Sequence, residues 1–197
     1  RAEIELPSVN FEMRGDIAYV SITYFAEDTA DELTPVIESI VQSAAAGIII
    51  DLRSNPGGLL SAVIDVIGHF IEEGVAVYVV DNKGERRASD INPASAVTDL
   101  PAVVLVDSFS ASGSEVLAGA LQDYGRATIA GTVTFGKGSV NILRQLKDGS
   151  GLYVTIARWL TPSGRLIEGE GLHPDIDLEL EDEDAIQWAI DYLKGNQ

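Results

Sequence analysis

The spacing of hydrophobic residues along the chain predicts short buried strands that alternate with amphipathic helices. Residues 15–25 alternate in part and are rich in β-branched and aromatic side chains, which favours a strand. Residues 29–43 favour a helix, because five apolar residues share one helical face: Leu33, Val36, Ile37, Ile40 and Val41. The short apolar run in residues 47–52 that follows is typical of a strand buried on both faces.

The same alternation continues to the end of the chain and predicts an α/β fold. Further helices are predicted at residues 59–73, 114–124 and 184–194. Further strands are predicted at residues 75–80, 102–106, 128–130, 140–144 and 152–157. Residues 85–100 are polar and predict a loop. We expect one domain over residues 1–197, with right-handed crossovers between its strands and a helical tail in residues 181–197.

The composition restricts the chemistry. The 197 residues contain no cysteine, which excludes disulfides, thiol nucleophiles and thiolate metal sites. The net charge of −18 argues against binding to nucleic acid or to an anionic membrane surface. No apolar run approaches the roughly 18 residues that a membrane-spanning helix needs.

Seven carboxylates are concentrated near the C-terminus: Asp175, Asp177, Glu179, Glu181, Asp182, Glu183 and Asp184. Such a run is usual for a solvated face and a helix start. A calcium site is the alternative, but the run lacks the Asp-x-Asp-x-Asp-Gly spacing of an EF-hand loop. We therefore predict no metal site.

Ser112 lies between a predicted buried strand and a predicted helix. The unpaired N–H groups at a helix start suit an oxyanion, which places the amide of Gly113 where charge would develop. The alternative is that Ser110, Ser112 and Ser114 only cap the helix. Glu115, in the first turn of the helix, is expected to complement the helix dipole.

Lys137 lies between two glycines in Thr134-Phe-Gly-Lys-Gly-Ser139. A hydroxyl beside a desolvated amine forms a nucleophile without histidine. A free lysine has a pKa near 10.4, and burial beside Phe135 would lower that pKa by several units. The alternative is a surface lysine in a glycine-rich turn. The two histidines are not candidates, because His69 fits a core edge and His173 a loop contact.

Gly57 and Gly58 directly follow a predicted buried strand, at the carboxyl end where open α/β sheets place ligands. Either could offer a second amide to an oxyanion, and their alternative role is a tight turn. A phosphate loop is not expected, because no Gly-Lys-Ser/Thr follows.

Six segments carry a resemblance to a known family. They are Asp51-Leu-Arg-Ser-Asn-Pro-Gly-Gly-Leu59, Ser110-Ala-Ser-Gly-Ser-Glu115, Ala118-Gly-Ala-Leu-Gln-Asp-Tyr-Gly-Arg126, Thr134-Phe-Gly-Lys-Gly-Ser-Val140, Ala157-Arg-Trp-Leu-Thr-Pro-Ser-Gly-Arg165 and Gly171-Leu-His-Pro-Asp-Ile176. In this order they resemble the carboxy-terminal processing peptidases, also called tail-specific proteases. The resemblance spans residues 1–176, and the serine and lysine are separated as in that family.

The resemblance implies a ClpP/crotonase-like core and an endopeptidase that cleaves proteins near their C-termini with a Ser-Lys dyad. It assigns Ser112 as the nucleophile and Lys137 as the general base. It assigns the oxyanion hole to the amides of Gly113 and of Gly57 or Gly58. Asn141 stands where many relatives have a glutamine that orients the lysine. No metal or organic cofactor is implied.

The family usually has a PDZ domain before the equivalent of residue 1, and we expect this sequence to be a truncated piece of such a protein. The implied partners are protein or peptide substrates with exposed C-termini. The implied location is periplasmic or otherwise extracytoplasmic, with a membrane tether in the full-length protein. The rival interpretation is an inactive or resting crotonase-like module that binds apolar ligands or peptides.

Overall fold

The computed structural model describes residues 7–179 and 182–195, which form two sheets and four helices. The strands are β1 (Val9–Arg14), β2 (Ile17–Ile22), β3 (Gly47–Asp51), β4 (Val75–Asp81), β5 (Arg86–Asp90), β6 (Ala102–Val106), β7 (Thr128–Gly131), β8 (Ser139–Gln145), β9 (Gly151–Leu160) and β10 (Ile176–Asp177). The helices are α1 (Thr29–Gln42), α2 (Leu60–Ile67), α3 (Gly113–Asp123) and α4 (Asp182–Leu193). No helix in the described residues is long and apolar enough to span a membrane.

The larger sheet has the strand order β1-β2-β3-β6-β7-β10, and every neighbouring pair except β1 and β2 is parallel. Its central strands β3 and β6 are buried at every residue, as expected for apolar strands covered on both faces. The side chains of β3 alternate between two cores. Ile48 and Ile50 pack in the core formed with α1, α2 and α3, whereas Ile49 packs in a second core with α4.

The smaller sheet has the order β5-β4-β9-β8, and all its pairs are antiparallel. Strand β9 pairs with β4 only through residues 157–160, so the rest of the β8–β9 ribbon pairs with itself alone. Trp159, at the base of the ribbon, is buried in the main core. The ribbon begins two residues after Lys137, so its base lies beside the predicted site.

The structure confirms the α/β class and most of the predicted elements. The helix predicted at residues 59–73 ends at Ile67, because the chain packs directly on Gly68. A Cβ at that glycine would lie 1.9 Å from the carbonyl oxygen of Asn92. The predicted loop at residues 85–100 contains β5, an exposed edge strand without apolar alternation. Strands β1 and β10 were not predicted. Residues 181, 196 and 197 of the predicted tail lie outside the described residues.

We expect the α4 core to contribute substantially to stability. Ile186 is 5% exposed, and Ile186→Ala should lower the free energy of unfolding by about 2–4 kcal/mol through lost burial and a cavity. Chemical denaturation followed by circular dichroism measures the change. Gln187→Ala, on the exposed side of the same helix, is the matched control. Equal stability of the two variants would contradict the packing of α4 on the sheet.

Candidate active site

Ser112 lies at a sharp turn between β6 and α3. Its backbone has φ 53° and ψ −110°, a region that costs a non-glycine residue about 1–3 kcal/mol. The turn is held by the Asp107 carboxylate, which accepts hydrogen bonds from the N–H groups of Phe109 and Ser110 at 2.9 and 2.8 Å. The predicted strand-to-helix position of Ser112 is therefore confirmed.

The three serines of this segment have different contacts. The hydroxyls of Ser110 and Ser114 donate to the carbonyls of Leu52 and Asn55, at 2.8 and 3.0 Å, and so attach the segment to the loop after β3. Ser112 is the N-cap residue of α3, and its backbone N–H donates to the Glu115 carboxylate as in a capping box. Its hydroxyl makes no capping hydrogen bond within the described residues. Of the three serines, only Ser112 thus takes the cap position, and it does not cap the helix through its side chain.

Lys137 lies in a loop that is packed closely against residues 168–171. A Cβ on Gly136 would approach the Gly171 nitrogen at 3.0 Å, and one on Gly138 would approach the Glu168 nitrogen at 2.7 Å. The indole N–H of Trp159 donates to the Lys137 carbonyl at 3.0 Å. Lys137 is half-buried, and it takes part in no ion pair within residues 7–179 and 182–195.

Glu115 joins the serine and lysine segments and is fully buried. Its carboxylate accepts hydrogen bonds from the backbone N–H of Ser112 at 2.8 Å and of Lys137 at 2.9 Å. It also accepts from the N–H of Gly136 at 2.7 Å and from the Thr134 hydroxyl at 2.5 Å. Sequence reasoning assigned Glu115 only to the helix dipole and missed this bridge. The available signal was an acid three residues after the serine, the spacing of a capping box.

Ser112 and Lys137 line one cavity of about 250 Å³. The remaining lining residues are almost all small or apolar: Gly58, Leu59, Leu60, Gly113, Val116, Ser139, Val140, Asn141, Tyr153 and Trp159. Within the part of the chain that the structure describes, no hydrogen bond joins the Ser112 hydroxyl to the Lys137 amine. The structure thus brings the predicted pair to the same cavity without direct contact.

Two backbone amides beside Ser112 have no acceptor in the described residues: those of Gly58 and Gly113. They are close together, since a Cβ on Gly113 would lie 3.3 Å from the Gly58 nitrogen. The N–H of Gly57 instead donates to the Asn55 side chain at 2.8 Å. Gly57 has φ +99°, and a Cβ there would lie 2.7 Å from the Gly113 nitrogen. Of the two glycines considered, Gly58 has the available amide.

Asn141 lines the cavity, but its amide group makes other contacts. The side-chain nitrogen donates to the Ser139 hydroxyl at 3.2 Å, and the side-chain oxygen accepts from the Thr155 hydroxyl at 2.7 Å. An orienting role toward Lys137 stays a prediction.

The histidines lie outside this cavity. His69 is buried, with Nδ1 2.6 Å from the Ala96 carbonyl oxygen, and His173 lies in an exposed loop.

A polar cluster anchors the start of the loop that carries Gly58. Asp51 accepts hydrogen bonds from the Tyr19 hydroxyl at 2.9 Å and from the Arg53 guanidinium at 2.6 Å. Burial, and then the negative charge of Asp51, raise the pKa of Tyr19 to about 12. The cluster borders a second cavity of about 620 Å³ below α4, which contains neither Ser112 nor Lys137.

The fold and the cavity together define an α/β protein with a serine and a lysine beside two amides that have no acceptor in the described chain, an arrangement suited to acyl transfer. The family model of peptidase family S41 matches residues 16–178, and the chain belongs to this family.

Similar proteins agree with this assignment. The chain is 42% identical over 159 residues to a carboxyl-terminal-processing protease of Synechocystis, covering 81% of this chain and 37% of that protein. It is 36% identical over 181 residues to a probable CtpA-like serine protease of Staphylococcus aureus, and this match covers 91% of this chain and 36% of that protein. The solved structure of a photosystem II D1 C-terminal processing protease superimposes with a TM-score of 0.81 at 34% identity, and the match covers 90% of this chain and 50% of that one. The chain thus spans about a third of the length of these curated relatives.

Glu115→Gln should loosen both segments of the site, because its NH₂ group would face backbone donors in place of a carboxylate oxygen. We expect the free energy of unfolding to fall by about 2–4 kcal/mol. Amide hydrogen exchange should accelerate at Ser112, Gly136 and Lys137. Thr134→Val keeps the carboxylate and its three backbone donors, so it should lower stability by about 1–3 kcal/mol, because the Leu172 N–H loses its acceptor, but leave exchange at Ser112, Gly136 and Lys137 unchanged. Unchanged exchange at both segments in Glu115→Gln would contradict the bridging role.

The raised pKa of Tyr19 predicts a loss of stability at high pH. The folded-state pKa lies above the unfolded value of about 10, so the contribution is complete below pH 10 and is lost as pH rises through 12. Because Tyr19 is only half-buried, we expect about 1 kcal/mol after screening by solvent. Denaturation of wild type and Tyr19→Phe at pH 8 and 12 measures it. A stability difference between them that stays constant with pH would contradict this linkage.

Proposed function

We propose that this chain is the catalytic core of a serine endopeptidase that cleaves protein substrates near their C-termini. Ser112 is the nucleophile and Lys137 is the general base. The observation that carries the proposal is the common cavity of Ser112 and Lys137, beside the unpaired amides of Gly58 and Gly113. Membership of a peptidase family supports the reaction class.

In the proposed reaction, the Ser112 hydroxyl oxygen attacks the carbonyl carbon of the scissile peptide bond while the neutral Lys137 amine takes the hydroxyl proton. The oxyanion of the tetrahedral intermediate accepts hydrogen bonds from Gly58 and Gly113. The intermediate then breaks its C–N bond, and Lys137 returns the proton to the departing amine. Water, deprotonated by Lys137, then attacks the acyl ester; the bond between the acyl carbon and the Ser112 oxygen breaks, Lys137 returns the proton to that oxygen, and the new carboxyl terminus leaves. These steps use no metal or organic cofactor.

The lysine amine must come within about 3 Å of the serine oxygen for proton transfer. The flexible four-carbon stem of lysine gives the amine freedom to move within the cavity that it shares with Ser112. The absence of a competing ion pair in the described residues leaves the amine available. Glu115 keeps the main chain of both segments fixed while the lysine side chain moves.

The substrate class is supported by two relatives that are described as carboxyl-terminal processing proteases. For the longer protein, we also propose a PDZ domain that captures substrate tails. We further propose an extracytoplasmic location with a membrane tether. Extended binding along a sheet edge would give main-chain hydrogen bonds that tolerate many sequences.

The dyad is tested by paired substitution. Lys137→Ala should lower kcat/KM on a tailed protein substrate by at least about 100-fold, through loss of the base. Ser112→Ala should abolish turnover, and both variants should keep the wild-type circular dichroism spectrum. Ser108→Ala, an exposed serine of the same segment, is the matched control and should retain activity. The assay is made on this chain and on the longer protein that contains it. Wild-type turnover by either the Ser112 or the Lys137 variant would refute the assignment.

A fluorophosphonate probe separates a peptidase from a binding module. Labelling of Ser112 in wild type, and loss of labelling in Ser112→Ala, would support the nucleophile. Tight binding of an apolar ligand without any labelling would support the binding module in its place. Labelling that appears only in the longer protein would indicate a core that rests until another domain engages.

A further inference from the structure

The wall of the cavity continues onto the β8–β9 ribbon. Tyr153 lines the cavity that contains Ser112 and Lys137, yet it is 65% exposed. Its direct cross-strand partner is Leu143, which is 72% exposed. Directly opposed residues of an antiparallel pair lie on the same face, with Cβ atoms about 5 Å apart. Tyr153 and Leu143 therefore form one apolar strip that leads out of the cavity.

The packing of Leu143 shows that this strip is formed along the ribbon surface. A Cβ on Gly151 would lie 2.8 Å from the Leu143 Cδ1 atom, so the leucine side chain leans over this glycine. Gly151 opposes Gln145, two residues beyond Leu143 on the same face of the ribbon. Because Gly151 has no side chain, the Leu143 side chain can pack over the backbone of that residue.

The ribbon also has an open edge. Strand β8 is the last strand of its sheet, and it begins two residues after Lys137. An extended polypeptide that enters the cavity can therefore run beside β8 and pair with its free main-chain groups. Because the strip continues from the cavity, we expect it to bind the same polypeptide whose scissile bond lies at Ser112.

We propose that Tyr153 and Leu143 form a substrate subsite that selects an apolar side chain two residues away from the one in the cavity. The inference rests on the proposed peptidase function. In an extended chain, side chains on one face repeat every two residues, about 6.7 Å apart. Asn141, which lines the cavity, and Leu143 have this same spacing along β8. The substrate class is thus a tail with apolar residues at positions i and i+2.

The chemistry of the strip favours apolar over charged residues at the second position. Among the described residues that line the cavity, Lys137 is the one charged side chain, and neither Tyr153 nor Leu143 offers an ionic partner. A carboxylate or ammonium placed on the strip would lose part of its hydration without gaining a compensating contact.

The test compares variants on the two faces of the ribbon. Tyr153→Ala and Leu143→Ala should each raise KM about tenfold on a peptide with leucine at both positions, and leave kcat within about twofold. Tyr153→Phe should keep the wild-type KM, because the contact is apolar. Leu152→Ala is the matched control, because Leu152 is 50% exposed and lies next to Tyr153 on the opposite face. It should leave both constants unchanged.

A binding measurement keeps this test separate from the test of activity. In a Ser112→Ala background, fluorescence anisotropy of the labelled leucine peptide gives its Kd without turnover. Adding Tyr153→Ala should raise the Kd about tenfold. Replacing leucine by aspartate at the second position of the peptide should raise the Kd by the same factor when the protein carries Ser112→Ala but keeps Tyr153. Additivity of the two changes would contradict contact between them.

The outcomes are distinguishable. If wild type shows no Ser112-dependent cleavage, the proposed function fails, and the Kd arm still decides on the subsite. If cleavage occurs but KM and Kd are unaffected by Tyr153→Ala and Leu143→Ala, the subsite is refuted and the peptidase assignment stands. If Leu152→Ala raises KM as much as Tyr153→Ala, the ribbon acts through its stability and not through its cavity face, which also refutes the subsite.

Discussion

The site depends on one buried carboxylate. Glu115 accepts four hydrogen bonds, three of them from backbone N–H groups of the serine and lysine segments. A buried charge is tolerated only when its hydrogen-bonding capacity is met, so the carboxylate holds its donors in fixed positions. The strained backbone of Ser112 and the permissive glycines beside Lys137 have no intrinsic preference for this arrangement. Glu115 therefore makes a single unit of two segments that the chain places far apart.

The rigid and movable parts of the site have separate origins. The amides of Gly58 and Gly113 belong to backbone that is fixed by the Asn55 side chain, by the helix start and by close packing that excludes a Cβ. The Lys137 amine stands at the end of a flexible stem and has no ion pair in the described chain. Such a division suits acyl transfer, because oxyanion donors gain most from being preorganised, whereas a base must pick up and deliver a proton at two different atoms.

Local patterns were sufficient for most of the fold. The buried strands β3 and β6 are continuous apolar runs, and α1 has a clear apolar face, so each could be identified without its neighbours. Strand β5 could not be identified in this way. It is an exposed edge strand that needs only a hydrogen-bonding partner for its backbone, so its sequence shows no apolar alternation. The end of α2 depends on the close approach of Asn92, which is distant in sequence. The bridge made by Glu115 was missed for the same reason, since three of its donors lie 19 to 22 residues further along the chain.

The exposed apolar ribbon is best explained by the size of the cavity. About 250 Å³ accommodates little more than one substrate side chain, and a single buried side chain contributes only about 1.5–3 kcal/mol. An unstructured tail also loses conformational entropy when it becomes ordered, at about 1–2 kcal/mol for each residue. Ordering several residues of a tail therefore costs more free energy than one side chain in the cavity returns. The proposed substrate therefore needs further contacts along its path, and the face of Tyr153 and Leu143 is an exposed apolar surface that adjoins the cavity. Binding energy realised there, equal in the ground state and the transition state, would lower KM and keep the proposed substrate beside Ser112 without changing kcat.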